Sequence, residues 1–211
     1  MGGHNLGLLL GLGAIAAAAY GAGDYSGDYA CPKSPAYVYA SCRVTVIVHL
    51  PCFSVREEML SRVYGQFDMW HDPHNNGTYN VLERGEYELW LTRRTGDDKY
   101  TDKLTFTFED VRRASSHHCV VRGCSRSQVF SVGDFSTNYC NLRMLYCGAG
   151  DGCSALSPAW PASPSETEVK ASPGAGTSQQ ACIAASRSHG RPALSGGDSG
   201  FRVETSGAQK P

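Results

Sequence analysis

Arg43-Val44-Thr45-Val46-Ile47-Val48-His49-Leu50-Pro51, with Ser54-Val55-Arg56-Glu57-Glu58-Met59-Leu60-Ser61-Arg62-Val63-Tyr64 close behind, decides the fold, because the hydrophobic period changes across Pro51. Before it, Val44, Val46 and Val48 point one way and Thr45 and Ile47 the other, as in a strand. Both faces are largely apolar, so a strand over Arg43–His49 belongs in the interior of a sheet and ends at Pro51. After it, Val55, Met59, Leu60, Val63, Tyr64 and Phe67 recur at helical spacing, leaving Arg56, Glu58, Ser61 and Arg62 for solvent. Ser54 and Glu57 have the spacing of a capping box that would start this helix. The helix is expected to lie on a sheet.

The segments downstream return to period two. Thr78 to Leu82 and Glu86 to Arg93 flank a turn at Glu83-Arg84-Gly85, where Gly85 is available for a positive φ. Thr95 to Lys99 then leads into Tyr100 to Glu109, in which Leu104, Phe106 and Phe108 alternate with Lys103, Thr105 and Thr107. Tyr87, Leu89 and Leu91 are expected to share the core face with that row, which puts Trp90 on the other face. Cys119 to Arg122 and Gln128 to Val132 are candidates for further strands. The sum is an α+β fold: one amphipathic helix packed on an antiparallel meander sheet, disulfide-stabilised, with a disordered C-terminal tail. The order strand, helix, meander resembles that of cystatin-like folds. The Gln-x-Val-x-Gly hairpin tip of cystatins is absent, so inhibition of cysteine proteases by that route is not expected.

Working outward, the 211-residue chain divides into 1–21, a signal peptide; 22–153, the α+β domain; and 154–211, a low-complexity tail. Leu6 to Ala22 is almost wholly apolar or small, and no Asp, Glu, Lys or Arg precedes Asp24. Ala19 and Gly21 suit cleavage after Gly21, with retention as an anchor the alternative. No second such run follows, so no membrane span is expected after signal removal. Beyond Cys153, Ala, Gly, Ser, Pro and Thr dominate. Such a composition buries too little apolar surface to offset roughly 1–2 kcal/mol per residue of backbone ordering. That tail would serve as a flexible or O-glycosylated stalk.

The chain has nine cysteines. Cys31, Cys42, Cys52, Cys119, Cys124, Cys140, Cys147 and Cys153 fall within the expected domain and form an even set, as in an oxidised secreted protein, with Cys182 left over. No two stand in Cys-x2-Cys spacing, which favours disulfides over zinc. If the segment from Asp134 to Cys147 is helical, Cys140 and Cys147 sit two turns apart and staple different elements. With Lys+Arg 19 against Asp+Glu 20, the chain lacks the basic footprint of a nucleic-acid-binding protein.

Four constellations are candidates for function. Trp70-His71-Asp72-Pro73-His74-Asn75-Asn76-Gly77-Thr78 concentrates two imidazoles and a carboxylate, groups able to hold a metal or form an oriented base, although Asp-Pro and Asn-Gly are ordinary turn formers. Within it Asn76-Gly77-Thr78 is an N-glycosylation acceptor. His117 and His118 would complete a metal site only if the fold brings them to His71 and His74. Gly197-Asp198-Ser199-Gly200 resembles the residues around the nucleophile of trypsin-like proteases, but no histidine or aspartate context accompanies it, and no role is carried over. Trp70, Trp90 and the tyrosines are candidate stacking surfaces, Trp90 above all. The expected function is a secreted, non-catalytic binding domain for an extracellular ligand (a protein, a glycan or a small apolar molecule) requiring no cofactor. The alternative is a small metal-dependent enzyme or metal-binding protein using His71, Asp72 and His74.

Overall fold

The computed structural model describes residues 31–113 and 116–189, with the side chains of 31–112 and 116–184. The expected signal peptide, Gly197–Gly200 and the end of the chain lie outside the described residues. In chain order the elements are β1 (Ser41–Val48), α1 (Cys52–Gly65), β2 (Thr78–Arg84), β3 (Glu88–Arg94), β4 (Thr101–Arg113), β5 (Ser116–Ser127), α2 (Thr137–Arg143), a short 3-10 turn (Ala149–Asp151), β6 (Ser165–Ala171) and α3 (Gln179–His189). The six strands form one antiparallel sheet in the order β2-β3-β4-β5-β1-β6. The meander β2 to β5 follows the expected hairpins. β1 then lies inside the sheet, between β5 and β6, as its two apolar faces require.

One face of the sheet is covered. Val44, Val46 and Val48, Leu89 and Leu91, Leu104, Phe106 and Phe108, and Val121 all point to it and are buried. Burying each such side chain contributes about 1.5–3 kcal/mol. α1 packs on β2, β4 and β5, and α2 packs on β1, β4 and β5. The sheet is therefore covered by two helices and the segment after them, rather than by one amphipathic helix.

The same parity continues to one end of the sheet, but there the side chains change character. Beyond Leu91 comes Arg93, before Leu104 comes Asp102, beyond Gly123 come Ser125 and Ser127, and all four are buried on the core face. The covered layer is apolar at one end and polar at the other.

Several local expectations are corrected. α1 begins at Cys52 with Pro51 at the N-cap and no side-chain cap from Ser54. Instead Asp110 of β4 accepts the Cys52 N–H at 2.9 Å, and this backbone donor above all holds the Asp110 carboxyl below its ordinary value. The helix is also rotated relative to its expected face. Val55, Met59, Leu60 and Val63 are buried, whereas Tyr64 and Phe67 are 62% and 80% exposed. Glu58 and Arg62 are buried as an i,i+4 ion pair at 2.8 Å. They can be buried because chain from further along covers them: Leu156 and Ser157 donate backbone N–H groups to Glu58, Arg62 donates to the Met144 carbonyl, and its guanidinium lies over the Trp160 ring. Gly85 is not at positive φ. Tyr87 precedes β3 and is exposed, and residues 128–132 form no strand.

The largest correction concerns the segment after Cys153. Residues 154–184 are built into the fold: Trp160 is buried, β6 completes the sheet beside β1, and α3 is tied down by Cys182. Four disulfides join Cys31–Cys124, Cys52–Cys119, Cys140–Cys182 and Cys147–Cys153. Cys182 thus takes the place expected for Cys42, which is a free thiol. Strand parity is the reason: Cys42 stands opposite Ser125 on the core face, whereas Cys124 stands opposite Arg43 and points outward. Burial, aided by Asp134 and Glu166, pushes the Cys42 thiol up to about 12. Alkylation of the native protein is therefore expected to label no cysteine, and the same reaction in denaturant without reductant to label one. Mass spectrometry checks both, and native labelling of Cys42 would contradict the packing described.

Candidate functional site

The polar end of the covered face is a connected network. Tyr79 donates its hydroxyl to the Asn141 carbonyl at 2.9 Å. Asn141 Nδ2 donates to Asp102 Oδ2 at 2.6 Å and to Ser125 Oγ at 3.1 Å. Ser125 donates to Asn138 Oδ1 at 2.7 Å, and Asn138 Nδ2 donates to Ser127 Oγ and to Asp134 Oδ2 at 3.0 Å each. α2 supplies both asparagines, so its polar face and the polar end of the sheet were built for each other. Buried polar groups of this kind are costly unless paired.

The loop from Trp70 to Thr78 closes this network on one side. Asp72 is buried in an ion pair with Arg93 at 2.6 Å, and its other oxygen accepts the His74 N–H at 2.8 Å. Arg93 also donates to the His74 carbonyl and to Asn75 Oδ1 at 2.8 Å. Gly77 is obligatory beside it, since a Cβ there would collide with the Arg93 guanidinium. Asn75 and Asn76 take positive φ values of 47° and 49°, the left-handed conformation Asn tolerates best after Gly. His74 is buried, with Nδ1 3.2 Å from the Ala181 carbonyl and Nε2 3.4 Å from Thr137 Oγ1. A neutral ring donating from Nδ1 and accepting at Nε2 satisfies both. Burial, then the Arg93 charge, lowers the His74 pKa, consistent with that neutral form.

The sequence candidates therefore separate. His71 is exposed, Asp72 is committed to Arg93, and both nitrogens of His74 are engaged. Among the described residues no group of three or more His, Cys, Asp or Glu is placed to hold a metal ion. His117 lies at the opposite end of the sheet, 3.1 Å from Asp110, and His118 lies next to His49. Trp70 is a core residue tilted against Tyr79, although with His71 it lines a cleft of about 330 Å³ beside the Cys147–Cys153 loop. Trp90 is half-buried on the outer face, as parity requires, and donates to Glu88 at 3.1 Å.

Next to the network opens a larger cavity of about 600 Å³. Its walls are the Asn75-Asn76 turn, the β3–β4 connection from Thr95 to Tyr100, and the loop from Ser131 to Thr137; Asp102 and Ser127 form part of its lining. The loops are fixed to one another: the Gly96 N–H donates to the Asn75 carbonyl at 3.1 Å, and Asp134 gathers four donors, from the Ser136, Asn138 and Gly176 backbone and from the Asn138 amide. Phe135 and Ser136 are held at φ values of 49° and 72°, and Phe135 projects with 90% exposure. Non-glycine residues in this region carry strain that persists only where surrounding contacts over-determine it.

Asp102 is the least settled group in the cavity. It is 1% exposed, and among the described residues Oδ1 has no hydrogen-bond partner while Oδ2 accepts from Asn141. Burial pushes its carboxyl up, against the Asn141 hydrogen bond, the nearby Ser127 hydroxyl and the charge of Arg93. A raised folded-state pKa contributes stability fully present below the unfolded value of about 3.9 and lost as pH rises through the folded value. Asp102→Asn is therefore expected to be at least as stable as the parent at neutral pH, the gap closing toward acid. Thermal melts from pH 3 to 8 check this, and an Asn variant less stable at pH 7 would contradict it.

No protein-family model matches this sequence, and no curated protein is significantly similar to it. Fold and site together define a disulfide-stapled α+β domain with a polar cavity at one end of its sheet. The four disulfides are consistent with an oxidising, extracellular setting, and among the described residues no helix is long and apolar enough to cross a membrane.

Proposed function

We propose that this chain is secreted after cleavage behind Gly21 and acts without catalysis, as a binding domain that holds a small extracellular ligand in the cavity between the 75–76, 95–100 and 131–137 loops. The observation that carries the reading is the cavity: its volume is that of small-molecule sites, its walls are tied by hydrogen bonds, and its lining combines a few buried polar groups with the aromatic rings of Tyr100 and Phe135. Asn76 is exposed on the rim, so a glycan there would stand at the mouth and limit the size of what enters.

The test is a fragment screen on the secreted, oxidised protein, read by amide chemical shifts. Saturable ligands are expected to move residues 95–100 and 131–137 together. Shifts centred elsewhere, for instance on the exposed Phe53 and Tyr64 of α1, would overturn the assignment of the site. Intact mass is expected to show a mature chain beginning at Ala22 and carrying a glycan at Asn76; an uncleaved chain would overturn secretion.

A further inference from the structure

We infer that the cavity selects an organic cation: an amine whose ammonium group donates to Asp102 Oδ1 while its apolar body lies against Tyr100 and Phe135. This rests on the binding reading above and assigns its ligand class.

Among the described residues the lining carries three carboxylates, Asp97, Asp102 and Asp134, and no Lys, Arg or His. Their roles differ. Asp134 is saturated by its four donors and organises the loop. Asp97 accepts from Thr95 and pairs with Lys99 at 3.0 Å on the exposed side. Of these three carboxylates, Asp102 alone keeps an acceptor unused by the described residues, and it is buried. A buried, under-bonded carboxylate is a costly arrangement that a ligand donor would complete.

A neutral hydroxyl could also donate to Oδ1, so charge decides between them. Among the described residues of the network, Asp72, Asp102 and Asp134 stand against the guanidinium of Arg93, with His74 in its neutral form. Arg93 is the ladder partner of Asp102, yet its hydrogen bonds go to Asp72, His74 and Asn75. The site is left short of positive charge. Its rim supplies what an organic cation also needs, since ring faces attract ammonium groups. Tyr100 is 46% exposed, and Phe135 is presented by the strained turn that Asp134 holds.

The experiment titrates the full secreted protein with 2-phenylethylamine, its isostere 2-phenylethanol, and N-acetylglucosamine, reading calorimetry and amide shifts, and repeats the series on Asp102→Asn. The amine is expected to bind saturably with shifts at 95–100 and 131–137, and the alcohol about tenfold or more weaker. Asp102→Asn is expected to erase that preference while melting no lower than the parent. Equal binding of alcohol and amine, or an unchanged preference in Asp102→Asn, overturns the inference. If the sugar or the alcohol binds in the cavity and the amine does not, the ligand class is wrong and the binding site stands. If all three probes leave the cavity residues unmoved, the inference fails, and the fragment screen then decides the binding reading.

Discussion

A chain truncated after Cys153 is expected not to fold. It would lack Glu166, whose carboxylate is the shared acceptor for the hydroxyls of Tyr139 and Tyr146 and for Arg143. Tyr146 would then lose its hydroxyl's acceptor, at a cost of about 1–3 kcal/mol, and Arg143 would be left with Asp151 as its ion-pair partner. Glu58 would lose the Leu156 and Ser157 N–H donors, and Arg62 the Trp160 ring. Cys140 would lose Cys182, a bond whose removal typically costs about 2–5 kcal/mol in small secreted domains. Finally β1 would become an open edge. Against a total stability of about 5–15 kcal/mol these losses are decisive. The expected readout is absence of a cooperative thermal transition and retention in the secreting cell. Secretion at the parental level with a sharp melt would show that 154–211 is the dispensable stalk its composition implies.

That composition misled for a physical reason. Low apolar content argues against a segment forming its own core, but 154–184 adds Trp160, a few half-buried side chains, one edge strand and the start of α3 around Cys182 to a core built by residues before it. A segment that borrows a core needs few apolar residues. The strands β1 to β4 were legible because alternation reports burial directly, and the covered face carries the expected Val, Leu and Phe rows. α1 was legible as a helix but not in its orientation: Glu58 and Arg62 look like solvent residues until a distant segment closes over them. The Cys42 error has the same origin, since counting cysteines ignores parity, and parity sends Cys42 and Cys124 to opposite faces.

The cavity was half-visible. The loop from Trp70 to Asn76 was singled out for its His and Asp residues, yet the metal chemistry those residues suggest is consumed by Arg93 and Thr137. Arg93 and Asp102 carried a signal that periodicity alone contains: each lies two residues along the same face from a core leucine, Leu91 and Leu104. A charge at a core position requires a partner or a ligand. Asn138 and Asn141 had no comparable signal, because their task is set by the strand ends they face.

Arg93→Met is expected to be the most destabilising single substitution in this network, by about 3–5 kcal/mol, because it leaves Asp72 as a buried, uncompensated charge. For a domain of this size that lowers Tm by about 6–20 °C. The guanidinium also lies over the Tyr79 ring at 5.5 Å and holds the His74 carbonyl and the Asn75 side chain, so Arg93→Lys should recover only part of the loss. The Asp72→Asn/Arg93→Met double variant should be more stable than Arg93→Met alone, since the stranded charge is gone. Strictly additive losses would show that the two side chains do not act as a pair. The same substitution has a consequence for binding. Asn75 is the link through which Gly96 is positioned, so releasing it should loosen the 95–100 wall of the cavity and weaken binding of any ligand there. Asp102→Asn should instead lose ligand while keeping stability. Opposite effects on melting with a shared loss of binding would separate the residue that builds the wall from the residue that meets the ligand.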